Sequence, residues 1–152
     1  MRKIIFFIVL LLFSCYQPDG EVELKPFSSD GCSLFPDRSV ITQQDWCECC
    51  FQHDIAYWQG GTEQQRIDAD MELKQCVLQK TSNETLANVM YDGVRVGGSP
   101  YFYNWYRWGY GWSYLDTSRG KYQALSENQL EQVKRLTEQY LASNENNYCD
   151  TR

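Results

Sequence analysis

Apolar and polar positions alternate with helical rather than strand spacing over most of this chain. Starting from Thr42, an expected N-cap with Asp45 in the first turn, Trp46, Cys49, Cys50, His53 and Tyr57 recur along one helix. Gly60-Gly61-Thr62 ends that helix and caps a second, expected from Glu63 to Gln79. Ala69, Asp70, Leu73, Cys76 and Val77 form the second helix's inner stripe, and Arg66, Asp68, Glu72 and Gln75 are assigned to its other sides. So short a connection makes the two helices antiparallel neighbours. A short third helix is expected from Asn83 to Tyr91, stopped by Gly93, with an extended piece and turn from Val94 to Pro100. The last helix opens at Ser126, whose hydroxyl and Gln129 match a capping box, and runs to about Ser143. Leu130, Val133, Leu136, Tyr140 and Leu141 make its packing face.

Between the third and last helices the pattern changes. Tyr101 to Trp112 carries eight aromatic residues in twelve, and Trp108-Gly109-Tyr110-Gly111-Trp112 alternates ring and glycine. That alternation predicts an extended ribbon with its rings on one side. The rings either complete a small core or form an apolar wall or membrane-contacting rim.

The first fourteen residues stand apart from the fold. Met1-Arg2-Lys3 is a basic opening to the apolar run Ile4 to Phe13, ten residues, too few to span a bilayer. The following Leu12-Phe13-Ser14-Cys15 resembles the lipobox of bacterial lipoproteins, which implies a signal peptide over 1–14 and acylation of Cys15. A plain secretion signal is the alternative. Gln17 to Phe27 reads as a polar tether, giving a tether over 15–27 and one domain over 28–152. Removing Arg2 and Lys3 leaves 12 basic residues against 20 acidic ones, so the net charge moves from −6 to −8. That balance excludes nucleic acid as a partner and disfavours electrostatic recruitment to anionic lipid.

Six cysteines remain beyond Cys15: Cys32, Cys47, Cys49, Cys50, Cys76 and Cys149. In an exported chain an even count reads as three disulfides, in any of fifteen pairings. Cys47, Cys49 and Cys50 lack the second cysteine or histidine pair that a structural zinc site needs.

His53 is the only histidine, hence the obvious proton acceptor near neutral pH. If the chain reverses near Gly61, His53 meets positions around 68 to 70 on the second helix. Asp70 is on the inner stripe and Asp68 points about 160° away on an ideal helix, so Asp70 is the expected partner. Cys49, His53 and Tyr57 stack at i, i+4 and i+8. Cys50 and Asp54 form a second row about 100° around, facing the preceding loop.

The run Cys49-Cys50-Phe51-Gln52-His53-Asp54-Ile55-Ala56-Tyr57, after a cysteine-bearing acidic loop and before Asp70, resembles secreted phospholipase A2 over about Asp30 to Val77. The Arg107-Trp108-Gly109-Tyr110-Gly111-Trp112 run is similar to bacterial members. The resemblance implies a mainly α, phospholipase A2-like fold: two antiparallel disulfide-linked helices carrying the site, a calcium loop, an aromatic extended segment and a C-terminal helix. It maps the catalytic set onto His53, Asp70 and Tyr57, and calcium binding onto Asp54, Asp30 and the Gly31 carbonyl. The loop Ser29-Asp30-Gly31-Cys32-Ser33 departs from the glycine-rich animal pattern and is closer to microbial members. Implied disulfides are Cys49–Cys76 and Cys32–Cys50, leaving Cys47 and Cys149 as the last pair. The implied activity is calcium-dependent hydrolysis of the sn-2 ester of glycerophospholipids at a membrane surface, by a lipoprotein of the bacterial cell envelope or a secreted protein. The alternative is a catalytically silent module of the same fold that binds calcium, lipid or a protein partner.

Overall fold

A computed structural model gives the fold and describes residues 22–101, 109–114, 117, 121–143 and 149. The expected signal segment, Cys15, and the Phe102–Trp108 part of the aromatic run lie outside the described residues. Those residues form four α-helices, α1 (Cys47–Gln59), α2 (Glu63–Thr81), α3 (Glu84–Gly97) and α4 (Glu127–Ser143), and one 3₁₀ turn over Trp112–Tyr114. The fold is thus mainly α, with no strand among the described residues.

Local chemistry sets most of the helix starts. Thr62 and Gln65 exchange side-chain and backbone bonds of 3.2 and 2.8 Å at the head of α2, and Ser126 and Gln129 do the same at 3.1 and 3.2 Å for α4. Asn83 accepts from the Leu86 amide at 3.0 Å at the head of α3. Each cap satisfies amides that the helix cannot and is worth about 1 kcal/mol. The first helix begins later than its sequence suggests. The Ser39 hydroxyl gathers the Ile41 and Thr42 amides at 3.3 and 3.0 Å, Gln43 takes a φ of 60°, and the resulting turn cannot continue as α-helix. Val40 and Ile41 sit exposed at its tip, and α1 starts only after Asp45 accepts from the Cys47 amide at 2.9 Å.

Helix α1 stands between two apolar clusters. On one side Trp58, Tyr57 and Phe51 pack with Leu24, Phe27, Tyr110, Trp112 and Tyr114, and Val133, Leu136 and Tyr140 of α4 close over them. On the other, Cys49 and Cys50 pack with Leu73 and Val77 of α2 and Ala87 and Met90 of α3. This packing corrects three expectations. Leu24 and Phe27, read as tether, are core residues, with Phe27 against Trp58 and Tyr140 at ring distances of 5.2 and 4.8 Å. The described aromatics after Gly109 form a turn and the 3₁₀ helix rather than a ribbon, and Tyr110, Trp112 and Tyr114 are buried. Of the packing face read for α4, Leu130 and Leu141 are exposed.

Helix α3 runs past Gly93 to Gly97. A helical glycine costs only about 1 kcal/mol relative to alanine. Beyond it Val94 packs on the core, while Arg66 of α2 donates to the Val94 and Arg95 carbonyls at 3.0 and 2.8 Å, satisfying acceptors in the last turn. Three disulfides form, Cys32–Cys50, Cys49–Cys76 and Cys47–Cys149. They tie the loop before α1, helix α2 and residue 149 to α1, and none reaches α3. No helix among the described residues is long and apolar enough to cross a membrane.

Candidate active site

The contacts between α1 and α2 run in opposite directions along the two helices: Tyr57 meets Arg66, His53 meets Asp70, and Cys49 is bonded to Cys76. The antiparallel pairing therefore sets His53 and Asp70 at one height. His53 Nε2 lies 2.9 Å from Asp70 Oδ1, and Asp70 is 0% exposed. The Tyr57 hydroxyl donates to the same oxygen at 2.7 Å. Burial pushes the Asp70 carboxyl towards neutrality, but hydrogen bonds from His53, Tyr57 and Arg95 outweigh it and hold the group below the usual carboxylate range. An ionised carboxylate can only accept, so Nε2 carries a proton, and in the neutral ring Nδ1 keeps its lone pair. Burial, then the charge of Asp70, drives the Tyr57 phenol far above its ordinary value, so it remains a donor.

Two cations missed in the sequence complete this cluster. Arg66, assigned above to an outer side of α2, is buried and lies one turn before Asp70. Its Nε donates to the Tyr57 hydroxyl at 3.1 Å and lies 3.8 Å from Asp70 Oδ2, and its Nη1 donates to the Tyr122 hydroxyl at 2.9 Å. Burial opposes its charge, but the bonds to Tyr57 and Tyr122 prevail and hold the guanidinium protonated. Arg95, from the part of α3 not expected to be helical, donates from Nη1 to Asp70 Oδ2 at 2.6 Å. The i, i+4 spacing of Arg66 and Asp70 was a usable signal; nothing local in the sequence marked Arg95.

His53 opens on a cavity of about 380 Å³ whose walls come from four places. The loop before α1 contributes Gly31 to Phe35, α1 contributes Cys50, His53, Asp54 and Tyr57, α2 contributes Leu73, and α3 contributes Val89, Met90, Gly93, Val94 and Gly97. Val89, Gly93 and Gly97 stack at i, i+4 and i+8, and a Cβ added at Gly93 or Gly97 would meet nothing within 4 Å. Gly98, in contrast, lies so close to the Tyr57 ring that any side chain there would collide with it. The cavity is mostly apolar, with the His53 and Asp54 side chains among its few polar groups.

The second row of α1 faces the loop as expected. Cys50 is bonded to Cys32, and Asp54 Oδ2 accepts from the Ser29 hydroxyl at 2.6 Å. Gly31 takes a φ of 76°, where a Cβ would run into the Asp37 carboxylate, and Asp37 Oδ1 accepts from the Cys32 amide at 2.8 Å. Asp30 Oδ1 accepts from the Ser33 hydroxyl at 2.6 Å, and Asp30 is not among the cavity-lining residues. Among the described residues no three His, Cys, Asp or Glu side chains gather closely enough to hold a metal. The expected set needs only two carboxylates and a carbonyl, and two of its members, Asp54 and Gly31, line the cavity together. Oxygen donors of this kind suit a hard divalent cation.

The arrangement thus combines an imidazole with one free nitrogen, a buried carboxylate behind it, and an apolar chamber in front. No family model, no curated protein and no solved structure matches this chain.

Proposed function

We propose that this chain is a calcium-dependent hydrolase of the phospholipase A2 kind, acting on the sn-2 acyl ester of glycerophospholipids from a lipid-anchored position in a bacterial cell envelope, with Cys15 as the acylated residue. One observation carries the reading: the chain's only histidine is bonded at 2.9 Å to a fully buried aspartate and opens on an apolar cavity of about 380 Å³. Exposed surface pairs of this type are common, whereas a buried pair at the wall of an apolar chamber fits acid–base work on a water-poor substrate.

In this reading His53 Nδ1 takes a proton from a water as the water oxygen attacks the ester carbonyl. Asp70 accepts from Nε2–H throughout, orienting the ring and stabilising the imidazolium. His53 then returns the proton to the departing glycerol oxygen, so that free fatty acid and lysophospholipid leave and no enzyme nucleophile is consumed. The cavity holds the acyl chain: each methylene that leaves water there contributes about 0.8 kcal/mol. Calcium, held by Asp54, Asp30 and the Gly31 carbonyl, would supply charge to polarise the ester carbonyl.

A second reading, a catalytically silent module binding lipid through the same cavity, is favoured by one feature: Asp30 is bonded to Ser33 rather than lining the cavity with Asp54. Fatty-acid release from phosphatidylcholine in mixed micelles, with millimolar calcium or with chelator, separates the two. Release that depends on calcium and on the sn-2 ester supports the hydrolase; lipid binding without release at any calcium concentration leaves the silent module.

A further inference from the structure

We propose that Arg95 is a positioning residue for His53: it pins the far oxygen of Asp70, so that the near oxygen accepts from Nε2–H and the Nδ1 lone pair stays available. The inference rests on the hydrolase reading for its catalytic consequence, while its structural half stands alone.

Asp70 has no exposed surface, so water cannot orient it. Oδ1 is taken by His53 at 2.9 Å and Tyr57 at 2.7 Å, and both donors come from α1. Both bonds fall on one oxygen and leave the other to a third donor. The bond from Arg95 Nη1 to Oδ2, 2.6 Å long, fixes that second oxygen and comes from a different helix. A charge-assisted bond of this length is about twice as strong as a neutral one. Arg95 is itself fixed at the backbone, because Arg66 donates to its carbonyl at 2.8 Å and to that of Val94 at 3.0 Å. Arg66 also donates to the Tyr57 hydroxyl at 3.1 Å, which makes that hydroxyl's proton point to Asp70. One carboxylate is thus held by three helices, and its two cations offset the cost of burying it.

The chain has one histidine, so an ¹⁵N spectrum of its imidazole is free of overlap. In the full-length protein in micelles, at a pH where the ring is neutral, His53 should show the Nε2–H tautomer alone. Arg95→Gln should give mixed tautomers and lower kcat at least tenfold with KM changed less than twofold. Arg95→Lys should recover the single tautomer and most of kcat. If Arg95→Gln melts below the assay temperature, the same substitution in a Gly93→Ala background is measured. A folded Arg95→Gln protein that keeps one tautomer, or that changes KM alone, overturns the proposal. If the tautomers mix as described but even the unsubstituted protein releases no fatty acid, the positioning role stands and the hydrolase reading fails.

Discussion

Replacing Gly93 by leucine should make the protein more stable and worse at handling long acyl chains, a combination that few other substitutions would produce. Gly93 lies inside α3, and a Cβ built there meets nothing within 4 Å, so the position has open space at the root of a side chain. Leaving glycine for leucine in a helix interior is worth about 0.8 kcal/mol, or roughly 3 °C in Tm for a domain of this size. Gly93 lines the cavity of about 380 Å³, and a leucine side chain turned into it would take the space of about two or three chain methylenes. At about 0.8 kcal/mol each, an occupant loses about 2 kcal/mol, which is roughly a 30-fold fall in kcat/KM. A substrate whose acyl chains are too short to reach Gly93 should be cleaved at the normal rate. Gly93→Ala serves as the control, since it gains the helix propensity and leaves the cavity open. The assay is hydrolysis of short-chain and long-chain phosphatidylcholines beside a thermal melt for each variant. A Gly93→Leu protein with raised Tm and an unchanged ratio of long-chain to short-chain activity would refute the assignment of this cavity to the acyl chain.

His53→Gln should lower kcat by about 10² to 10⁴ with little change in the melt, because a general base is removed while the ring's volume is largely kept; full activity in a folded His53→Gln protein would eliminate the proposed base. Acid should expose the Asp70 network. Its folded carboxyl is held below the ordinary value, so the unfolded chain binds the proton first as pH falls. The stability it contributes is complete above about pH 4 and is lost below that, as pH falls through the lowered value. Asp70→Asn should therefore cost about 3 kcal/mol or more in denaturant unfolding at pH 7, where it strands two cations, and the difference should shrink towards pH 2. For calcium, titration by calorimetry should show affinity falling at least tenfold in Asp54→Asn and in Asp30→Ala; an unchanged affinity in Asp30→Ala alone would remove Asp30 from the ligand set and leave Asp54 in place.

The pairing of His53 with Asp70 was legible because two regular helices joined by Gly60-Gly61-Thr62 leave little freedom in height or facing. Tyr57 followed from the same period. Residues whose placement depends on tertiary satisfaction were less so. Arg66 was placed off the inner stripe of α2, yet it is buried one turn from Asp70 and finds acceptors on three other elements, as a charged side chain does when it is paired. Arg95 was out of reach once Gly93 was taken as a stop, since the helix continues through tertiary contacts: Val94 packs on the core and Arg66 donates to the Val94 and Arg95 carbonyls. Likewise Thr42 looked like a cap, but Ser39, three residues earlier, takes the Thr42 amide into a turn, and the Thr42 hydroxyl donates to Gln44 Oε1 at 3.0 Å instead of capping a helix. Leu24 and Phe27 were hidden by the prolines and charges around them, although their three-residue spacing marks a local apolar pair.

Helix α3 joins the cavity wall to the carboxylate behind His53. It carries no cysteine of the three disulfides, so packing and polar bonds alone seat it on the α1–α2 pair. One of its faces supplies Val89, Gly93 and Gly97 to the cavity, and its last turn supplies Arg95 to Asp70. The wall that an acyl chain would press on and the clamp that sets the imidazole are therefore parts of one rigid element only two residues apart. A displacement of α3 large enough to admit a bulkier occupant would lengthen a 2.6 Å bond to Asp70, and bonds of this kind weaken steeply with distance. Glycine at 93 and 97 avoids that conflict: it creates room by removing side chains, so the helix can stay where Arg66 and Arg95 hold it.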